Sequence, residues 1–244
     1  MTSPRLALFD VDGTLLSAGG VSSRALAEVL LAVFGTAGPV ESYDFSGKTD
    51  PQIVRELMRA AGFDDATIDA RRADALALYR ERLTSVIRPE DVRAKPGVAR
   101  LLAALRAEAR VTLGLLTGNL EPCARAKLEP LGFNPHFGFG AYGSDHEERS
   151  CLPAIAVERA LAATGIPFRG KSVVVVGDSV HDVRCGKSLG VRAVAVATGR
   201  TPADVLAREE PDALLTDCAD LEAALAAVLG CDTIRPPWPP STTS

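Results

Sequence analysis

The sequence predicts an α/β fold: a doubly wound parallel sheet core interrupted near its start by an inserted α-helical cap domain. Three observations carry this expectation. Short aliphatic runs alternate with helical stretches over the second half of the chain, as in a parallel sheet covered on both faces. An apolar run at the start of the chain empties into two aspartates and a glycine. Between residues 21 and 83, where a second parallel strand would otherwise follow, the apolar spacing becomes helical.

Taken in order, the first strand is the apolar run ending at Leu8-Phe9, reached from Met1-Thr2-Ser3-Pro4-Arg5 with no signal-peptide pattern. The helical region then places Leu26, Val29, Leu30 and Val33 on one face, with a second set at Ile53, Val54, Leu57 and Met58. Within it, Asp50-Pro51 reads as a helix start, the aspartate as N-cap and the proline at the first position. Arg88-Pro89-Glu90-Asp91 is the return linker, and Lys95-Pro96-Gly97-Val98 opens a helix rich in alanine and leucine. Strands near Val111–Leu116, 173–176, 191–196 and Ala213–Leu215 then alternate with helices, and residues 137–141 offer a further short strand. The implied division is a core of residues 1–16 and 93–230, a helical cap of residues 17–92, and a proline-rich tail of residues 231–244, too rich in proline to join the sheet.

The chemistry-bearing residues cluster at the predicted strand ends. Asp10 and Asp12 are separated by one residue, so a bend at the strand end lets both carboxylates flank one bound group, one attacking while the other moves protons. A carboxylate is a weak nucleophile toward phosphorus unless the phosphate charge is neutralised, which calls for magnesium and fixed N–H donors nearby. Gly13 and Thr14 allow backbone amides to approach a phosphate. Thr117-Gly118-Asn119 follows the second buried strand and offers a hydroxyl and amides to phosphate oxygens, although Thr117 would also serve as cap of the helix near Glu121-Pro122. Four consecutive valines lead into Gly177-Asp178-Ser179-Val180-His181-Asp182, where Asp178 and Asp182 offer oxygen ligands to a hard cation, or cap the following helix.

These motifs, in this order and spacing along nearly the whole chain, resemble those of the haloacid dehalogenase-like (HAD) superfamily of Rossmann-type aspartyl-phosphate hydrolases. Asp10-Val11-Asp12-Gly13-Thr14 is similar to the first motif, Thr117 to the second, and Gly177-Asp178-Ser179-Val180-His181-Asp182 to the fourth. The resemblance implies that Asp10 forms an aspartyl-phosphate and that Asp12 protonates the leaving group and then activates water. It implies Mg2+ held by Asp10, the backbone carbonyl of Asp12 and the side chain of Asp178, with Asp182 a ligand or a partner behind them, and Thr117 bonded to the transferring phosphoryl group. The family's lysine-proline third motif is absent. Arg149 is the preferred substitute, since a guanidinium grips a carboxylate and a phosphate together, and Lys127 is its competitor, whose plainer role is a solvated helical charge. His146 and His181 are expected to border the mouth, and His136 to be structural.

The nearest resemblance is to phosphoglycolate phosphatase-like members, which implies a small phosphorylated metabolite as substrate. The alternatives are a phosphomutase of the β-phosphoglucomutase type, a dehalogenase, which Asp12 disfavours because such members carry an aromatic residue there, and a non-catalytic binding protein. In the loop Phe45-Ser46-Gly47-Lys48-Thr49-Asp50, Lys48 is placed to reach an anionic substrate or else to sit solvated.

Composition bounds the rest. With 47% hydrophobic residues in 244, the chain has ample material for a large core. A net charge of −4 with scattered basic residues disfavours nucleic acid as a partner, and no apolar segment reaches membrane-spanning length. Five cysteines without pairing pattern point to reduced thiols and the cytoplasm, and a monomer or homodimer is expected.

Overall fold

The structure is a computed structural model that describes residues 3–230; the proline-rich tail and Cys231 lie outside the described residues. In chain order, β1 (Arg5–Phe9) and β2 (Leu16–Ser17) precede three helices, α1 (Val21–Phe34), α2 (Asp50–Ala60) and α3 (Asp65–Val86). The chain returns through β3 (Arg93–Ala94) and continues as α4 (Val98–Ala107), β4 (Val111–Leu116), α5 (Glu121–Leu128), β5 (Gly140–Ala141) and α6 (Leu152–Thr164). It closes with β6 (Val173–Gly177), α7 (Val180–Ser188), β7 (Arg192–Val196), α8 (Ala203–Arg208), β8 (Ala213–Leu215) and α9 (Leu221–Leu229).

Six strands form one sheet in the order β5-β4-β1-β6-β7-β8, every neighbouring pair parallel. The fold is the Rossmann-like doubly wound sheet expected from the sequence. From β1 the chain builds outward through β4 and β5, then crosses back to the other side of β1 and builds through β6, β7 and β8. The order therefore reverses at β1, and the crevice beyond the carboxyl end of that strand is where such sheets bind ligands.

Burial on both faces explains the unbroken apolar runs. In β6, Val174 and Val176 face a core shared with α1–α5 and α9, whereas Val173 and Val175 face the core under α6. Ala7 and Phe9 of β1 divide from Leu6 and Leu8 in the same way. The first of these cores runs without a break from the sheet into the insertion, joining Phe9, Val11 and Leu15 to Leu26, Leu30, Leu57 and Met58. Packing, not propensity, thus fixes the insertion against the site.

Local details differ from expectation at three places. Thr49, not Asp50, caps α2, its hydroxyl accepting from the Gln52 amide at 3.2 Å. Asp50 occupies the first helical turn, where its carboxylate accepts instead from the Leu120 amide at 2.8 Å, a tie that sequence periodicity does not encode. The short strand within 137–141 contracts to Gly140–Ala141, and β2 and β3 form an antiparallel ribbon at the root of the insertion that no pattern announced, each being two residues long.

Candidate active site

The carboxyl ends of β1, β4 and β6 lie side by side, so Asp10, Thr117 and Asp178 converge although they are far apart in sequence. They line a pocket of about 320 Å³ together with Asp12, Gly13, Gly118, Asn119, Lys127 and Arg149. Carboxylate oxygens of Asp10, Asp178 and Asp182, all buried, lie within 4.8 Å of one another. Burial pushes the Asp10 carboxyl up to about 7 against the pull of Arg149, with Asp182 and Asp12 adding to the rise. Burial, then the charges of Asp10 and Asp182, hold Asp178 well above the usual carboxylate range. Two buried acids raised in this way, with the buried carboxylate of Asp182 beside them, make a site that favours a cation.

Each acid has a defined neighbour. Arg149, buried at the start of the turn leading into α6, donates from Nη2 to Asp10 Oδ1 at 3.0 Å and to Asp182 Oδ1. Its Nε is buried and has no hydrogen-bond partner among the described residues. Asp182 closes a capping box on α7, its Oδ2 accepting from the Ser179 amide at 3.0 Å and the Ser179 hydroxyl at 2.6 Å. Both of its oxygens are engaged: Oδ2 caps α7 and Oδ1 meets Arg149. Asp178 Oδ1 accepts from the Thr14 hydroxyl at 2.9 Å. A β-carbon on Gly13, which has φ +87°, would fall on the Asp178 carboxylate, so the close approach of the two motifs requires glycine there.

The second motif does not cap α5: Leu120 holds that position without a side-chain bond. Thr117 is fully buried, and its Oγ1 accepts from Asn119 Nδ2 at 2.8 Å and from the Asn119 amide at 3.4 Å, which leaves its own hydroxyl hydrogen to donate. Gly118 lies against the carbonyl of Lys48 with no room for a β-carbon, and its own carbonyl accepts from the Asp50 amide at 2.7 Å. The insertion is therefore pinned directly onto the second motif.

Two expectations about lysines change. Lys127 is not a solvated charge; it is buried, and its ammonium donates to Asp12 Oδ2 at 2.7 Å and Asn119 Oδ1 at 2.6 Å. Arg149 and Lys127 thus do not compete for one role: the first engages Asp10, the second Asp12. Lys48 lines the pocket, but its ammonium is taken by Glu56 Oε2 at 2.6 Å and the Tyr43 hydroxyl at 3.0 Å, and it lies over the Tyr43 ring. These partners come from its own insertion, so the expected reach to a substrate anion is replaced by an internal ion pair. His136 packs against Phe133 and Phe137, while His181 lines a neighbouring cleft with Ser46 and Arg200.

Several contributors were not singled out from the sequence. Glu147, two residues before Arg149, receives Arg55 Nε of α2 at 2.5 Å and Arg72 of α3, and its backbone carbonyl accepts from the Thr49 hydroxyl at 2.6 Å. Thr198 donates to the Gly13 carbonyl at 2.6 Å, and Lys95 donates to the Thr198 carbonyl at 2.6 Å, which together brace the first motif. For Lys127 a signal did exist: it falls on the buried stripe of α5 with Cys123, Ala124 and Leu128, where an unpaired charge would be costly.

Comparison with known proteins agrees with this geometry. Residues 4–190 match the family model described as haloacid dehalogenase-like hydrolase. The phosphoglycolate phosphatase of Pseudomonas fluorescens (strain Pf0-1) is 28% identical over 89% of this chain and 78% of its own length. The tyrosine-protein kinase PtkA of Mycobacterium tuberculosis (strain ATCC 25618 / H37Rv) is 31% identical over 84% of this chain and 66% of its own. Among solved structures, CbbY from Rhodobacter sphaeroides in complex with phosphate superposes with a TM-score of 0.69, covering 92% of this chain and 99% of that one at 23% identity, a likeness of fold.

Proposed function

Because the chain belongs to the haloacid dehalogenase-like hydrolase family, we propose that it is a Mg2+-dependent phosphatase of the phosphoglycolate phosphatase kind, hydrolysing a small phosphorylated metabolite through an aspartyl-phosphate on Asp10. One observation carries the reading: a buried carboxylate, Asp10, stands between a guanidinium and two further buried acids in the wall of a pocket of about 320 Å³.

The donor set suits magnesium, which prefers hard carboxylate oxygens, and the raised carboxyls of Asp10 and Asp178 are what a divalent cation would relieve. Asp10 and Asp178 would hold the ion, with the backbone carbonyl of Asp12 beside them and Asp182 steering Asp10 through Arg149. When bound, the ion supplies charge neutralisation between the nucleophile and a phosphate dianion. Arg149 orients Asp10 through Nη2 and brings its positive charge to the pocket wall, where a phosphate would sit. Thr117 presents its hydroxyl hydrogen to the same group, with Asn119 fixing the rotamer. Asp12 gives the leaving oxygen its proton and takes one back from water. Gly118 and Asn119, with Gly13 and Thr14, shape the phosphate end of the pocket, while residues 17–92 act as a cap that excludes water. Lys48 supports that cap through Glu56 instead of meeting the phosphate.

The cap is fastened to the loop bearing Arg149 by Glu147, which Arg55 and Arg72 grip together. Glu147→Ala is expected to raise KM several-fold and to lower stability by about 1 kcal/mol, as steady-state kinetics and urea unfolding would read. An unchanged KM would detach this clamp from substrate enclosure.

The reading as a whole is tested by incubating purified protein and Mg2+ with a panel of phosphorylated metabolites, 2-phosphoglycolate and sugar phosphates included. Released phosphate that stops with EDTA and returns with Mg2+ is expected. Isomerisation of a sugar phosphate without released phosphate, or no reaction on any member of the panel, would contradict it.

A further inference from the structure

We propose that Lys127 is a positioning residue that fixes the rotation of the Asp12 carboxylate, holding Oδ2 so that Oδ1 alone faces the pocket as the oxygen that carries protons. The inference rests on the reading of Asp12 as proton carrier given above.

Two donors converge on one oxygen. Lys127 Nζ lies 2.7 Å from Asp12 Oδ2, and Asn119 Nδ2 lies 2.7 Å from the same atom. Lys127 Nζ also reaches Asn119 Oδ1 at 2.6 Å, so the three side chains close a ring of hydrogen bonds. Among the described residues Asp12 Oδ1 has no hydrogen-bond partner, and the Asp12 side chain remains 42% exposed where it lines the pocket. An aspartate at a pocket rim otherwise turns freely about its last torsion, which is broad and nearly two-fold.

The ammonium is built to stay. Lys127 is 2% exposed, and burial alone would lower its pKa, but the charges of Asp12 and Asp50 outweigh that and hold it above the usual lysine range. Asp50, in the first turn of α2, is itself fixed by the Leu120 amide. A buried cation is tolerated where it is paired, and here the pairing spans the turn after β1, the second motif, α5 and α2. Two cations therefore divide the site: Arg149 sets the nucleophile and Lys127 sets the proton carrier.

The two half-reactions depend on Asp12 unequally. In the first, an Asp10 oxygen bonds to phosphorus and the bond from phosphorus to the leaving oxygen breaks. That oxygen keeps the electron pair and takes the proton from Asp12 Oδ1. In the second, water bonds to phosphorus and passes its proton to Asp12 Oδ1, and the Asp10–phosphorus bond breaks with its electron pair returning to the carboxylate. An alkyl leaving group needs the proton, whereas p-nitrophenolate leaves without it. The second half needs Asp12 whatever the substrate was.

The test is rapid-mixing kinetics of Lys127→Met with p-nitrophenyl phosphate and with 2-phosphoglycolate. With the aryl ester the variant should give a burst of about one p-nitrophenolate per active site, then steady turnover about 100-fold below wild type. With the alkyl ester it should show the same loss or more and no burst. Lys127→Gln, which keeps a donor to Asp12, should recover part of the loss, and it supplies the measurement if Lys127→Met does not fold. Equal loss on both substrates without a burst, or no loss at all, overturns the proposal. Asp12→Ala, run in parallel, separates the two claims. If it turns over both esters at wild-type rates, the reading of Asp12 is wrong and the inference falls with it. If it bursts and stalls while the Lys127 variants do not, the positioning role alone is refuted.

Discussion

Asp10→Asn should abolish turnover, lowering kcat by at least about 10⁴-fold, and at the same time make the metal-free protein more stable. The amide keeps an acceptor for Arg149 Nη2 but loses the charge that attacks phosphorus. The stability gain follows from linkage. The Asp10 carboxyl ionises at 3.8 in its ordinary state and at about 7 in the folded protein, chiefly because burial disfavours its charge. Below the lower value it is neutral in both states and costs nothing. As pH rises toward the higher value the unfolded chain releases a proton that the folded chain retains, so wild-type stability declines and the loss is complete above about pH 7. Asparagine has no ionisable proton and escapes this loss. In EDTA the variant should match wild type near pH 4 and exceed it by on the order of 4 kcal/mol near pH 8, read from urea midpoints. Added Mg2+ should reverse the order by stabilising wild type. A variant less stable than wild type in EDTA at pH 8 would refute this electrostatic picture.

Arg149→Met is the counterpart, with stability moving in the opposite direction. The guanidinium is 5% exposed and pairs with two carboxylates that are also buried. Burial works against its charge, yet Asp182 and Asp10 raise its pKa, so it is the cation that makes the acidic cluster tolerable. Removing one partner of a buried pair leaves the others uncompensated, and a loss of about 3–5 kcal/mol is expected. Turnover should fall by about 10²–10³-fold, since one donor to the transferring group goes with it. Arg149→Lys, which restores charge but not the fork, should recover stability more than activity. A methionine variant as stable as wild type would place the charge balance of the site elsewhere.

The large features were legible because each leaves a mark along the chain. Doubly buried strands such as Val173–Gly177 cannot avoid long apolar runs, and strand ends that bind ligands must break into glycine and aspartate. Asp10, Thr117 and Asp178 share one pocket because β1, β4 and β6 are neighbours, an adjacency their order in the chain does not state. What escaped was set by contacts across the chain. Asp50 looks like a cap from its local sequence, yet the amide of Leu120 claims its carboxylate. Lys48 looks free in its loop, yet Glu56 on the next helix turns it inward. Lys127 looks like a surface charge until the helical period is drawn through Cys123, Ala124 and Leu128. Reading that one charged residue in a buried stripe would have predicted a partner, though not that the partner is Asp12.

The central claim is that Asp10 itself becomes bonded to phosphorus. Acid-quenching the enzyme within one turnover of a phosphate-labelled substrate, followed by peptide mapping, tests it most directly. Label on the peptide carrying Asp10-Val11-Asp12, absent from Asp10→Asn and lost on standing in base as an acyl phosphate would be, is the predicted result. Phosphate release that proceeds with no label on that peptide, or label retained by Asp10→Asn, would contradict it.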